Sequence, residues 1–313
     1  MSEILVTGGA GAIGYNLVNA LIDKGHSVTI LDDLSSGYLC LLHPEARFVE
    51  GSIASDGDLK DAFATGPEYV IHLAALFANQ NSVEHPLKDL EVNARGTMDV
   101  LHMAQQRGVS KVLYASSSCV YGAKKEMREE DAPGQLDTPY AITKWIGEPY
   151  CKFWSDFHDL DTVIIRLFNS YGPGEFPGKY RNVIPNFFDL AMRGQPLPIT
   201  GDGTETRDFT YVGDTVEGLV SALFSTTKSG DVFNLATGRA TEIIKIAQAI
   251  NAVVGNKAGF EYKPRRKWDH IPHRLGIIDK AKKELGYNPQ TLLEDGLERT
   301  YAWLRDNMQK MAA

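Results

Sequence analysis

A tyrosine and a lysine stand four residues apart in Tyr140-Ala141-Ile142-Thr143-Lys144. On a helix this spacing puts both side chains on one face. An ammonium there favours the phenolate and draws a group of reference pKa ~10 toward neutrality. Next to a hydride acceptor, such a phenol is the base that alcohol oxidation needs. Two stretches upstream give the pair its meaning. A glycine-rich run, Thr7-Gly8-Gly9-Ala10-Gly11-Ala12-Ile13-Gly14, lies near the start, and Ser116-Ser117-Ser118 comes shortly before the tyrosine. Tyr-x-x-x-Lys by itself is a weak signal; in this order and company it is a strong one.

The glycine run needs a strand before it and a helix after it. Ile4–Thr7 reads as a short buried strand, and a helical pattern follows from about Ala12 to Lys24. Gly8, Gly11 and Gly14 then let the turn tighten and let backbone amides approach a pyrophosphate at the helix N-terminus. A second strand, Val28–Leu31, ends at Asp32-Asp33. An acid ~20 residues beyond the fingerprint can bind the adenosine ribose hydroxyls and would repel a 2′-phosphate, so NAD is expected over NADP. Asp32 is the stronger choice; Asp33 is the alternative that shares the role, though it reads more readily as a solvated turn residue.

Further strands are expected at Arg47–Glu50, Tyr69–Leu73, Val112–Ala115 and Val163–Leu167, with helices near Asp58–Ala64, Leu87–Arg107 and Pro139–Asp156. Alternation of this kind predicts an α/β fold with a doubly wound parallel sheet. After about Arg166 the texture changes. Gly172-Pro173-Gly174, Pro177-Gly178, Pro185, Pro196, Pro198 and Gly201–Gly203 punctuate short elements, and helices return near Asp214–Phe224, Glu242–Val254 and Leu292–Asn307. The expected division is a cofactor domain over residues 1–168, revisited at about 205–235, and a smaller substrate lobe over 169–313.

The chain has 313 residues, 43% of them hydrophobic and 23% charged, with a net charge of −8. That balance argues against a general nucleic-acid binder, which is usually basic. It leaves room for an anionic small substrate held by a few arginines. Three cysteines, Cys40, Cys119 and Cys151, make no disulfide framework. No run approaches the ~18 apolar residues of a membrane span, and a cytoplasmic setting is expected. His270-x-x-His273 is no convincing metal pair, since Pro272 interrupts any helix there and no third ligand is evident. His72 reads as a packed strand residue.

These motifs, taken together, resemble the extended short-chain dehydrogenase/reductase family, in its nucleotide-sugar epimerase and dehydratase group. The resemblance runs through His72-Leu73-Ala74-Ala75, Asn93-Ala94-Arg95-Gly96-Thr97, Ser116–Gly122, Tyr140–Lys144 and Arg166–Pro173. It continues in Gly201–Gly203, Arg207–Val212, Asp214 and Leu285–Pro289. It implies a Rossmann-like sheet with a smaller C-terminal substrate lobe and NAD as cofactor. Ser117 would hydrogen-bond the reacting sugar oxygen, Tyr140 would be the general base and Lys144 its electrostatic partner on the nicotinamide ribose. Ala12, Ile13, Ser52, Ile53, Leu73, Ala74, Ala75 and Asn93 would complete the cofactor site. Ser52 replaces an Asp that often contacts adenine. Tyr121 and Gly122 would be structural.

On the substrate side the resemblance places Phe77, Asn169, Asn182, Val183 and Arg207 against a nucleoside diphosphate sugar, with a UDP-sugar favoured. Some relatives carry lysine at the position of Phe77, so sugar recognition differs. Arginine suits a diphosphate by geometry as well as charge. A second arginine is expected between Arg265 and Arg274; Arg266 is favoured, with Asp269 on the ribose, and Arg274 is the rival. A basic surface run would look the same in sequence. A homodimer through the helices near Asn93–Arg107 and Pro139–Asp156 is also implied.

Ser118 and Cys119 bear on the reaction. In the family's 4,6-dehydratases the two positions after the catalytic hydroxyl carry Asp and Glu, and related decarboxylases often keep a Glu. The small pair here resembles a 4-epimerase: C4 is oxidised to a transient 4-keto sugar, which turns before hydride returns to its other face. A dehydratase or decarboxylase is the runner-up. A non-catalytic NAD sensor is the reading from another class, and it has no use for Ser117, Tyr140 and Lys144 together.

Overall fold

A computed structural model of the chain describes residues 1–265 and 271–312. Seven strands form its main sheet: β1 (Glu3–Thr7), β2 (Ser27–Asp32), β3 (Arg47–Glu50), β4 (Tyr69–His72), β5 (Lys111–Ser117), β6 (Asp161–Leu167) and β7 (Asp231–Leu235). All pair in parallel, in the order β7-β6-β5-β4-β1-β2-β3. The order reverses between β1 and β4, where Thr7 lies opposite His72. A crevice opens at such a switch point, beyond the carboxyl ends of the strands.

Helices cover both faces, so the strands are buried on both sides. In β1 the alternation is visible residue by residue. Ile4 and Val6 enter one core with Leu17 and Leu21 of α1 (Ala12–Asp23). Leu5 enters the other with Leu59 of α2 (Asp56–Ala62), Val100 and Leu101 of α3 (Thr97–Gln106), and Trp154 of α4 (Pro139–His158). A third core lies outside the sheet. It joins Phe176 from the loop before α5 (Val183–Met192), Ile184 and Phe188 of that helix, Ile246 and Ile250 of α7 (Ile243–Val254), and Leu297 and Leu304 of α9 (Leu293–Asn307). Between these, α6 (Val212–Leu223) returns to the first core, and α8 is Asp279–Leu285.

Most expected elements form, with ends displaced by one or two residues. Three of those named above, β7, α5 and α8, were not anticipated. β7 extends the sheet beyond β6 and runs Asp231-Val232-Phe233-Asn234-Leu235. Its buried Asn234 interrupts the apolar run that would have marked it. Helix α5 was hidden by Pro185, which suggested a break. Pro185 is its third residue, in the first turn, where the amide has no intrahelical acceptor to lose.

Strand β5 and helix α4 carry the centre of the molecule. Thr138 caps α4 by accepting from the Ala141 amide, and Pro139 occupies the first turn. Further along α4, Glu148 makes a two-pronged pair with Arg166 of β6, Nε to Oε1 at 2.9 Å and Nη2 to Oε2 at 2.7 Å. Ser116 of β5 donates to the same carboxylate at 2.5 Å. Arg166 also donates to the Tyr121 hydroxyl, and Tyr121 to Asn234 of β7. Both charges are almost wholly buried. Replacing Glu148 by Ala should therefore strand a buried guanidinium and lower stability by about 3–5 kcal/mol, read from urea unfolding.

Candidate active site

The glycine turn is shaped by backbone contact. A Cβ on Gly14 would sit 2.2 Å from the Gly8 carbonyl oxygen, and one on Gly8, whose φ is +75°, would meet the Ala74 amide nitrogen at 2.7 Å. Gly11 is the N-cap of α1, and no side chain caps that helix. Its first-turn amides are thus available to an anion. Asp32 ends β2 beside the turn. Its carboxylate accepts from the amides of Ala10 (3.0 Å) and Leu34 (2.9 Å), and burial pushes its pKa up against these two bonds. Each oxygen takes one of these amides, so both keep lone pairs for ribose hydroxyls. Asp33 only closes an exposed turn onto Ser35. The cradle fits a dinucleotide on these grounds.

One cleft of roughly 760 Å³ runs from this turn to the second lobe. Gly8, Gly11, Ala12, Ile13, Gly14, Asp32, Ser52, Ile53, Leu73, Ala74, Ala75 and Lys144 all border it, as the sequence suggested. Ser52 spends its hydroxyl on the Ala54 amide. Asn93 lies behind the wall, fully buried, and does not border the cleft. Its side chain clamps Leu76 from both sides, accepting from the amide (2.7 Å) and donating to the carbonyl (3.2 Å), and also reaches Asp89. In this structure the side chain holds the segment after β4. His72 bridges Thr7 and Thr97, and burial lowers its pKa to about 3, so it is a neutral strut.

Ser117, Tyr140 and Lys144 meet in mid-cleft. Ser117 ends β5 and accepts from the Cys119 amide at 3.2 Å. Phe77 packs edge-on to Tyr140, ring centroids 6.1 Å apart. One part of the sequence expectation is corrected. Lys144 does not bring the Tyr140 phenol toward neutrality. Its Nζ donates to the Ala115 carbonyl at 2.8 Å and lies 6.0 Å from the Tyr140 ring centre. Burial, reinforced by Cys119, raises the Tyr140 pKa, with Ser117 pulling the other way. Burial also lowers Lys144 to about 8, opposed by Asp89. Asp89 escaped notice in the sequence. It is fully buried, bonded to Thr143 and Asn93, and stands as the nearest acid to the pair. Only a helix turn that folds back over α4 brings it there.

Cys119 is more than a strand-end residue. Its sulfur lies 3.5 Å from Nη1 of Arg274 and 3.7 Å from Nδ2 of Asn79. Burial opposes ionisation, yet Arg274 and the bonds from Ser117 and its neighbours hold the thiol below its ordinary pKa. The rival arginine is therefore on the cleft wall beside the chemistry. Arg266 and Asp269 lie outside the described residues. Phe77, Asn169, Asn182, Val183 and Arg207 also border the cleft. Asn169 donates to the Asp208 carbonyl, Asn182 to Glu175, and Arg207 to the Thr206 carbonyl. Glu175, Arg181 and Glu205 share the wall and had drawn no attention, because charged residues in a Gly/Pro-rich loop read as solvated.

The family model for the NAD dependent epimerase/dehydratase family matches residues 4–236. The chain belongs to this family. A UDP-glucose 4-epimerase of Mycolicibacterium smegmatis is 36% identical over 313 residues, spanning 97% of this chain and 99% of that protein. The solved structure of an epimerase from Methanothermobacter thermautotrophicus is similar with a TM-score of 0.97 at 47% identity, covering 99% of this chain and 94% of the other. A UDP-glucose 4-epimerase from Thermotoga maritima, solved with UDP-glucose, gives 0.93 at 33% identity over 98% and 99% of the two chains. The cofactor of this family is NAD, and the glycine cradle and Asp32 are what would hold it. Changing Asp32 to Asn should cut the preference for NAD over NADP at least about tenfold, the worth of a charge-assisted bond, as read from the two dissociation constants.

Proposed function

We propose that this protein is an NAD-dependent nucleotide-sugar 4-epimerase acting on a UDP-hexose or its derivative. The observation that carries the reading is the meeting of Ser117, Tyr140 and Lys144 where the glycine cradle opens into the second lobe, with Ser118 and Cys119 standing where a dehydratase keeps two carboxylates. The family name spans both reactions, so membership alone does not choose. Dehydration needs an acid and a base besides the tyrosine. Those two positions offer a hydroxyl and one thiol.

In this reading the Tyr140 phenol takes the proton of the sugar 4-hydroxyl and later returns it. Ser117 fixes that oxygen, and its position at the end of β5 sets the distance. Lys144 orients the ribose and carries a charge that burial keeps easily lost. Bound NAD supplies the reversible hydride acceptor and, when oxidised, a positive charge that favours the phenolate. Asn182, Val183 and the Arg207 guanidinium hold the diphosphate end, which leaves the sugar free to turn. Residues 1–168 with the return at about 205–235 form the cofactor domain, and the rest of 169–313 the substrate lobe.

A homodimer belongs to the same proposal. Ile142, Phe153 and Phe157 are exposed along one stripe of α4, and Leu87 and Leu90 are exposed just before α3. Two copies can bury these faces against each other as an isologous four-helix contact. The three cysteines are free, which suits a reducing cytoplasm. Among the described residues no helix is long and apolar enough to cross a membrane.

Incubation with a panel of UDP-, dTDP-, GDP- and CDP-sugars, followed by proton NMR and mass spectrometry, tests the reaction. A product of unchanged mass with inverted C4 is expected; loss of water or carbon dioxide would overturn the epimerase reading. On the active substrate, Tyr140→Phe should lower turnover at least about a hundredfold while NAD stays bound. Unchanged turnover would remove Tyr140 from its role. Phe153→Asp with Phe157→Asp should give a monomer by light scattering, and a persistent dimer would place the interface elsewhere.

A further inference from the structure

We propose that Glu175, in its protonated form, donates a hydrogen bond to a diphosphate bound in the cleft, so that diphosphate binding takes up a proton at this residue. The inference rests on the cleft being the nucleotide site described above. Its geometry is independent of the catalytic residues. Glu175 is 4% exposed and borders the cleft. One carboxyl oxygen, Oε1, accepts from the Asn182 amide (3.4 Å) and side-chain nitrogen (3.1 Å). The other, Oε2, is buried and has no hydrogen-bond partner among the described residues. A buried polar atom left unpaired in this way carries a free-energy penalty, and a ligand can relieve it.

The loop that carries Glu175 is pressed onto the anion-binding turn. Gly174 has φ +91°, and a Cβ there would meet Tyr15 at 2.8 Å and the Ala12 carbonyl at 3.1 Å. Asn16 of α1 donates to the Pro173 carbonyl at 2.8 Å. Glu175 is thus pinned beside the N-terminus of α1, and through Asn182 beside the N-terminus of α5. Both ends attract phosphate. An ionised carboxylate between them would repel that phosphate. A carboxylic acid would instead donate to it, through the oxygen that has no partner.

The surroundings favour the acid. Burial pushes the Glu175 pKa up to about 7, although Arg181, in its own loop, and the Asn182 bonds oppose this. The titratable side chains in and about the loop are Tyr15 from α1, Tyr38 against Phe176, Tyr211 against Gly172, Arg181, which also acts on Asp32, and Lys179 and Tyr180, both bonded to Glu84. No further acid is in contact with the carboxyl among the described residues. A diphosphate brings negative charge and raises the pKa further. The sign follows from linkage. A group whose pKa rises on binding gives full affinity below its free value, near pH 7, and affinity falls about tenfold per pH unit from there to the bound value.

Isothermal titration at pH 8 in two buffers of different ionisation enthalpy reads the proton directly. One arm titrates NAD into enzyme freed of it; the other titrates UDP into NAD-saturated enzyme. Uptake of about 0.9 proton is expected in one arm, and that arm identifies the cofactor's or the substrate's diphosphate as the partner. Glu175→Gln keeps the shape and a donor without a titrating proton. It should abolish uptake, flatten the pH dependence and bind about thirtyfold tighter than the natural protein at pH 8.5. No uptake in either arm, release of a proton, or equal uptake by the Gln variant would overturn the proposal. The wild-type measurement stands whether or not the variant folds. If UDP fails to bind at all, the nucleotide-sugar reading falls, and the NAD arm still decides the fate of Glu175.

Discussion

The buried pair between Glu148 and Arg166 is the constraint on which the active site depends. It fastens α4 to the sheet one residue from the point where β5 delivers Ser117. Tyr140 and Lys144 ride on the same helix, two turns and one turn upstream. A shift of α4 along the sheet would move phenol and ammonium together, away from the serine. Such a pair adds little net stability when measured against a hydrophobic replacement. Its value is directional: a planar guanidinium meeting a carboxylate through two parallel bonds permits one register. Tyr121 and Asn234 extend the network to β7, so the edge strand is tied to the centre of the site.

A second theme is that burial, rather than charge pairing, sets the resting state of the cleft. It raises the pKa values of Tyr140, Asp32 and Glu175 and lowers that of Lys144. Each shift favours the neutral form. Cys119 is the exception, because Arg274 and its hydrogen-bonding neighbours outweigh its burial.

Local features were legible where one residue type has one physical use. The glycines of the first turn are such a case, since a Cβ at Gly14 or Gly8 would strike main chain. Asp32, at the end of a strand with a fixed spacing from that turn, is another. The chemistry-bearing residues Ser117, Tyr140 and Lys144 were found because order and spacing survive translation into β5 and α4. Asn93 was placed correctly in its motif, yet its side chain serves Leu76. Motif membership specifies a neighbourhood, and only packing decides which way an amide points. Asp89 and Glu175 had no local signature, and Arg274 stood out only as the rival of Arg266 in a basic run. Their importance comes from burial against elements 54, 7 and 155 residues away, respectively Thr143, Asn182 and Cys119.

Sequence alone determined the class of fold, and it picked out the glycine turn and the candidate trio that the fold brings to one cleft, because these follow from periodicity, from glycine sterics and from helical spacing, all of which are local. Tertiary structure decided the electrostatics. Whether a tyrosine is drawn toward phenolate or held as phenol depends on what surrounds it in three dimensions. Lys144, four residues from Tyr140, donates its hydrogen bond to the Ala115 carbonyl instead. The same holds for the lone carboxyl oxygen of Glu175, whose lack of a partner arises from the way one loop closes over two helix ends.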